Sequence, residues 1–309
     1  MTEYGYLELL EDIIDNGQER KGRNGNTLSI FGSRIEFLIN KSFPILTTKR
    51  VFFRGVVEEL LWFLKGSTNA KELQDKDIHI WDGNTSREYL DSVGLTDMQE
   101  GYLGPGYGYQ WRSFGGNYPN KDGVDQLEYI LKELITNPHG RRCILSAWNP
   151  NQMPNMALPP CHMTYQFYID KHGLSCQMYM RSCDVAAGLP FNICSTALFT
   201  LIIAKILNIS THKIIIITGD THLYEEHLEN VKIQLKREPL LPPTINIKKK
   251  LPESFLINKD SNDSDSDIDY KPTVNDIPEI IKWIEELQYQ DFELLNYKNH
   301  GPIQFKMVV

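Results

Sequence analysis

Apolar residues recur at helical spacing in several blocks of the chain. Residues 4–16 carry Leu7, Leu10, Ile13 and Ile14 on one face, with Gly17 as a stop. Residues 52–65 carry Val56, Val57, Leu60, Leu61 and Leu64, with Gly66 beyond, and residues 125–137 repeat the pattern up to Pro138. A further helix is predicted to open at Pro190, where a missing N–H costs nothing, and to run through the most apolar stretch of the chain, 190–207. Strands are predicted at 141–148, 164–170, 174–180, 213–218 and 244–250, with 27–39 as strands or a hairpin; Lys171-His172-Gly173 would turn 164–170 into 174–180. The charged, Gly-rich stretch 18–26 reads as a loop and residues 220–234 as a helix. Strands and helices mix without a regular βαβ repeat, and no internal repeat is visible. The expected fold class is therefore α+β, a mixed sheet flanked by helices.

The pattern breaks near the C-terminal end. Residues 258–270 (NKDSNDSDSDIDY) are acidic, serine-rich and nearly devoid of core residues, which predicts a solvated loop or disordered insert. Ser264 and Ser266 each have an aspartate three residues on, as acidic-directed phosphorylation requires. The whole stretch 252–288 reads as a surface insert in a single domain spanning 1–309; its later part, 278–287, suits a short helix with Ile280, Ile281, Trp283, Ile284 and Leu287.

Composition narrows the class. The 309 residues, 41% hydrophobic and 23% charged, suit a soluble globular protein with a sizeable core. No basic n-region precedes an apolar stretch at the start, and residues 190–207 are too polar to suggest a membrane span. Five cysteines without a Cys-x-x-Cys pair point to free thiols in a reducing compartment, cytoplasmic or nuclear. The net charge of −8 argues against nucleic acid as a primary ligand, while local arginine pairs suggest a small anionic one. Cysteines and histidines lack metal-ligand spacing, so no metal is expected.

Several motifs carry chemistry. Cys161 lies between the corner Pro159-Pro160 and His162, just before a predicted strand. Proline fixes the backbone there, so the thiol is either a constrained nucleophile or a small buried hydrophobe. Arg181-Ser182 and Arg141-Arg142 offer planar donors suited to phosphate, although a double arginine also suits a solvated turn. A cysteine thiolate suits attack on an electron-poor conjugated carbon, and nearby cations would activate it. Asn192, near the start of the long helix, presents both a donor and an acceptor, which suits the edge of a pyrimidine such as uracil. Glu59, in Glu58-Glu59-Leu60-Leu61-Trp62, reads by itself as a helix-surface acid. The run Gly219 to Tyr224 is the fifth motif.

Together these stretches resemble the folate-dependent thymidylate synthases. The most specific matches are Phe43 to Arg50, Glu59 to Phe63, Leu103-Gly104-Pro105 with Tyr107-Gly108, Met156 to His162, Gln177 to Asn192 and Gly219 to Tyr224. The resemblance implies a homodimer whose sheet face forms the interface, and conversion of dUMP and 5,10-methylenetetrahydrofolate into dTMP and dihydrofolate. It assigns Cys161 to attack C6 of uracil, Glu59 to proton transfer through water, Tyr107 to removal of the C5 proton, and Asn192 to reading the ring. His162 would support the thiol and Asp184 the cofactor ring. Arg23, Arg181, Ser182 and, from the second subunit, Arg141 and Arg142 fall at the phosphate site. His222 and Tyr224 fall at the deoxyribose hydroxyl. Lys49, Ile80, Trp81, Asn84, Gly188, Leu189 and Phe191 fall where the family holds folate, and Val309 where it closes over the ligands. The length leaves no room for a reductase domain, so recycling of dihydrofolate is expected of a separate enzyme.

Asn192 favours uracil over cytosine, because the related dCMP hydroxymethylases carry an aspartate there; an intact Cys161, Glu59 and arginine set argues against a silent RNA-binding relative. The chain departs from the family at three places. The loop 23–27 is one residue short, which leaves Arg20 as an alternative to Arg23. Ala187 replaces a leucine against the folate, for an expected loss of roughly 1–3 kcal/mol of apolar contact and a roomier pocket. The third departure is the acidic insert.

Overall fold

The computed structural model describes residues 3–22, 24–252 and 271–306. Arg23, Val309 and the acidic stretch 258–270 lie outside them. In chain order the elements are α1 (Tyr4–Asn16), β1 (Gln18–Gly22), β2 (Gly25–Leu38), α2 (Phe53–Leu64), α3 (Lys71–Gln74), α4 (Asp82–Thr85), α5 (Arg87–Ser92), α6 (Tyr107–Ser113) and α7 (Gln126–Thr136). There follow β3 (Ile144–Ser146), β4 (His162–Asp170), β5 (Gly173–Asp184), α8 (Leu189–Leu207), β6 (Thr211–Tyr224), α9 (Leu228–Leu235), β7 (Thr244–Ile247), α10 (Ile277–Glu285) and β8 (Phe292–Leu295). This is the α+β class expected.

Six strands form one mixed sheet in the order β1-β2-β6-β5-β4-β3, and β7 pairs with β8 separately. The β5–β6 pair is parallel; its chain connection is α8, which crosses the sheet between them. The other neighbours are antiparallel. Strand periodicity separates the two faces. Ile35, Phe37, Leu145, Tyr165, Phe167, Cys176, Met178, Ile214 and Ile216 point inward and are buried. Helix α8 is apolar on all sides because it is enclosed on all sides, with its side chains packed among α2, β5 and β6. It is long and apolar enough to cross a membrane by those criteria alone, and 78% of that stretch is buried inside the fold. On the opposite face, Gln177, Tyr179, Ile215 and Ile217 are only partly covered or exposed, and Tyr168 is 60% exposed.

Two expectations are corrected. Residues 18–22 are an edge strand, not a loop: Gln18 to Gly22 pair in register with Ser29 to Gly25. Every residue of β1 is exposed, so no alternation announces it. Residues 220–224 continue β6 instead of opening a helix, because Asp220 to Tyr224 pair with Phe31 to Thr27; a 3-10 turn over Glu225–His227 then leads into the α-helix at Leu228. Cross-strand pairing overrides local helical preference there. Residues 27–39 resolve to one long strand, β2, and β4 starts at His162, so Cys161 sits at the threshold of the sheet.

Candidate active site

The thiol is placed by the Pro-Pro corner and by the end of β5. Arg181 follows the pairing partner of His162; its Nε donates to the Pro160 carbonyl at 2.9 Å and its Nη2 to the Pro159 carbonyl at 2.7 Å. The backbone N–H of Arg181 also donates to the Cys161 carbonyl at 2.9 Å. Nη2 lies 3.9 Å from Cys161 Sγ. One guanidinium thus ties down the carbonyls that proline leaves facing it and sets a cation beside the sulfur. Burial pushes the Cys161 thiol above its ordinary value, and Arg181 pulls against that rise.

From the other side, the Cys161 backbone N–H donates to Tyr107 Oη at 2.9 Å. Tyr107 opens α6 with φ of 29°, a costly backbone for a bulky residue. Its ring stacks on Phe63 at 5.1 Å and meets His162 at 4.6 Å, which over-determines its position. His162 Nδ1 lies 3.0 Å from the Tyr165 hydroxyl, and burial holds the imidazole down at about 3, so it stays neutral near pH 7. It orients and packs; it is no proton reservoir.

Cys161, Tyr107 and His162 line one cavity of about 350 Å³, bounded also by Lys49, Glu59, Ile80, Trp81, Asn84, Ser182, Asp184, Gly188, Phe191 and Asn192, while Arg181 stands behind the thiol and outside the lining. Glu59 accepts from Trp81 Nε1 at 2.9 Å, and burial raises its carboxyl to about 7. Lys49 Nζ donates to the Ala186 carbonyl, and burial lowers it to about 7, with Asp184 opposing that fall. Asp184 Oδ1 accepts from the amides of Ala186 and Ala187, both at 3.0 Å, and so holds the turn into α8. Asn192 sits in the first turn of α8, where N–H groups point out and the dipole is positive. Ala187 lines the cavity.

Other expected residues fall elsewhere. His222 and Tyr224 stand on β6, with His222 in register with Asp184; their rings meet edge to face at 5.3 Å. Leu189 does not line the cavity: it is fully buried as part of the core side of α8, so it supports the site from behind. Arg141 and Arg142 are exposed and away from the cavity of their own chain. Arg20 donates to Asp220 at 2.7 Å, in a network that Ser29 and His222 complete at 2.9 Å each. Sequence reasoning missed Ile303 and Phe305, which form part of the wall. Two isolated apolar residues in a Gly-Pro segment give no periodic signal.

The arrangement offers a positioned thiol, a carboxyl that exchanges protons near neutrality, an amide for a polar ring edge, and an apolar wall for a second ring. Known proteins bear on it directly. The family model described as thymidylate synthase matches residues 4–309. A putative bifunctional dihydrofolate reductase-thymidylate synthase of Oryza sativa subsp. japonica is 45% identical over 314 residues, covering 99% of this chain and 58% of that protein. The bifunctional enzyme of Glycine max is 52% identical over 263 residues, covering 82% and 50% respectively. That of Paramecium tetraurelia is 45% identical over 311 residues, covering 98% and 61%. The chain therefore spans between 50% and 61% of the length of these relatives. With the fold, the cavity and a family match along nearly its whole length, the chain belongs to the thymidylate synthase family.

Proposed function

We propose that this chain catalyses the reductive methylation of dUMP to dTMP, with 5,10-methylenetetrahydrofolate as co-substrate and dihydrofolate as second product. The observation that carries the reading is the Cys161 thiol, held beside Arg181 in the same cavity as Glu59, Tyr107 and Asn192. In this reading Cys161 Sγ bonds to C6 of the uracil ring, which makes C5 nucleophilic and drives charge onto O4. Asn192 donates to or accepts from the ring edge, and its place at a helix N-terminus favours the developing anion. Glu59, near pKa 7, can both lend and recover a proton through water. Tyr107, fixed against the Cys161 amide, is the group this reading assigns to removal of the C5 proton. Return of the electrons to sulfur breaks the S–C6 bond and frees the product.

The residues present fit the folate. Ile80, Trp81, Phe191 and Phe305 give an apolar wall for fused rings, and Asp184 offers an acceptor to a ring N–H. When bound, the folate supplies the one-carbon unit and the hydride. Arg181 and Ser182 face the phosphate, completed by Arg23 and by Arg141 and Arg142 of a second copy. A homodimer through the open sheet face would bury Tyr168, Tyr179, Ile215 and Ile217 and bring those exposed arginines to the neighbouring cavity. All five cysteines are free thiols, which supports a reducing compartment, the cytoplasm or nucleus.

The test is 5-fluoro-dUMP with methylenetetrahydrofolate, followed by mass spectrometry. Fluorine at C5 cannot leave as a proton, so the ternary adduct should persist on the peptide that contains Cys161. Absence of an adduct, or its appearance on another cysteine, removes the proposal.

A further inference from the structure

Residues 301–306 form neither helix nor strand, yet Ile303 and Phe305 form one wall of the cavity. Side chains hold this strap in place. His227 Nε2 lies 2.9 Å from the Lys306 carbonyl, and Asn230 Nδ2 donates to the Gln304 carbonyl at 2.8 Å. Phe305 is clamped between them. Its ring meets that of His227 edge to face at 5.3 Å, and Lys49 Nζ lies 4.2 Å from its centroid.

His227 does more than tether. It is 2% exposed, and a carbonyl can only accept, so Nε2 carries the hydrogen. Its Nδ1 has no hydrogen-bond partner among the described residues and faces Asp184 Oδ1 at 3.9 Å. The same ring packs against Tyr224 at 5.6 Å. Here one imidazole binds the strap through Nε2, packs on Phe305 and packs on Tyr224 at the nucleotide side.

We propose that His227 is a positioning residue of the synthase, fixing the strap and with it Phe305, so that the folate-side wall is formed before its ligand arrives. The proposal rests on the function given above; the ligand class is the fused-ring co-substrate, and the nucleotide is affected little. Preformed walls lower the ordering cost of binding, so the loss should fall on KM for the folate more than on kcat.

The experiment compares His227→Leu and His227→Gln in the full chain. Leucine keeps bulk and removes both nitrogens; glutamine can place an amide donor near the position of Nε2. The Leu variant should raise KM for methylenetetrahydrofolate roughly fivefold to twentyfold, with kcat and KM for dUMP within about threefold. The Gln variant should recover most of that loss. Hydrogen exchange on the ligand-free proteins should quicken over residues 303–306 in the Leu variant and return toward wild type in the Gln variant. A folded Leu variant with wild-type folate KM and exchange overturns the proposal, as does equal damage to both substrates that glutamine does not relieve. Should the Leu variant not fold, Asn230→Ala removes the second tether from a partly exposed position; a looser strap with unchanged folate KM then overturns it equally. If the wild-type chain forms no dTMP, the functional reading fails by itself, while the exchange measurement still decides whether His227 holds the strap.

Discussion

Glu58 and Glu59 are neighbours on α2, but their carboxylates have different surroundings. Glu58 takes the Lys76 ammonium at 2.6 Å and is a structural ion pair. Glu59 meets a neutral indole N–H, and burial raises its carboxyl to about 7 from 4.5. The sign of the consequence follows. Between pH 4.5 and 7 the folded chain holds a proton that the unfolded chain releases, so Glu59's contribution to stability is full below 4.5 and is lost as pH rises through 7. His162 works the other way: its imidazole, lowered to about 3, costs stability as pH falls below 6.5. Between pH 5 and 6.5 the two slopes oppose each other, so Glu59→Gln should leave the His162 slope uncancelled, visible as a Tm that rises more steeply with pH there than the wild type's. The same variant should lose most turnover while dUMP binding survives. A wild-type pH slope in the variant would assign Glu59 an ordinary carboxyl. From sequence alone Glu59 looked like a surface acid, because helical spacing gives the face and not the depth of the cavity that α2 borders. Cys161 was legible as a constrained thiol from Pro159 and Pro160; its cation was not, since Arg181 is distant in the chain and reaches it through sheet pairing.

At the scale of elements, the long amphipathic helices were legible because they bury one face against a continuous core. The predicted helix at 125–137 is observed as α7, and the one at 278–287 as α10. The edge strand β1 and the last turn of β6 were not, since their conformation is decided by strands distant in sequence. Helices α3, α4 and α5 are too short to show a period, although α4 carries the cavity residue Asn84. Capping links the helices around the site. Asp125 Oδ1 accepts from the amides of Leu127 and Glu128 at the start of α7, while Oδ2 takes Arg112 Nε at 2.8 Å. Arg112 is 9% exposed and also reaches the Leu64 carbonyl at the end of α2 and Glu285 on α10. One aspartate thus serves two functions, capping and charge pairing. Asp125→Ala removes both and leaves a nearly buried guanidinium short of a partner, for about 2–3 kcal/mol of stability. Asp125→Asn keeps an oxygen for the cap and should cost less than about half of that. Urea unfolding of the two variants decides; equal losses would mean that the charge pair dominates and the cap contributes little.

For the whole molecule, the sheet has one face under α8 and one face left with tyrosines and isoleucines partly uncovered. Arg141 and Arg142 project from the same region of the chain as β3, beyond reach of their own cavity. The two-fold pair proposed above, in which each copy would supply arginines to the other's phosphate site, would account for both observations. The arrangement can be tested by mixing two defective chains. One carries Cys161→Ser and keeps its arginines; the other carries Arg141→Ala with Arg142→Ala and keeps its thiol. Each alone should be nearly inactive. After unfolding and refolding together in equal amounts, half of the dimers should be hybrids, and each hybrid holds one site with an intact thiol and intact arginines. Recovery should therefore approach about one quarter of wild-type turnover per site, because isologous pairing gives each cavity the other chain's arginines. If the arginines serve their own chain, the hybrid has no complete site and the mixture stays as inactive as its parts. The recovered sites should also show wild-type KM for dUMP, since every phosphate ligand in them is native; recovery with a raised KM would mean that only one of the two arginines crosses to the other subunit.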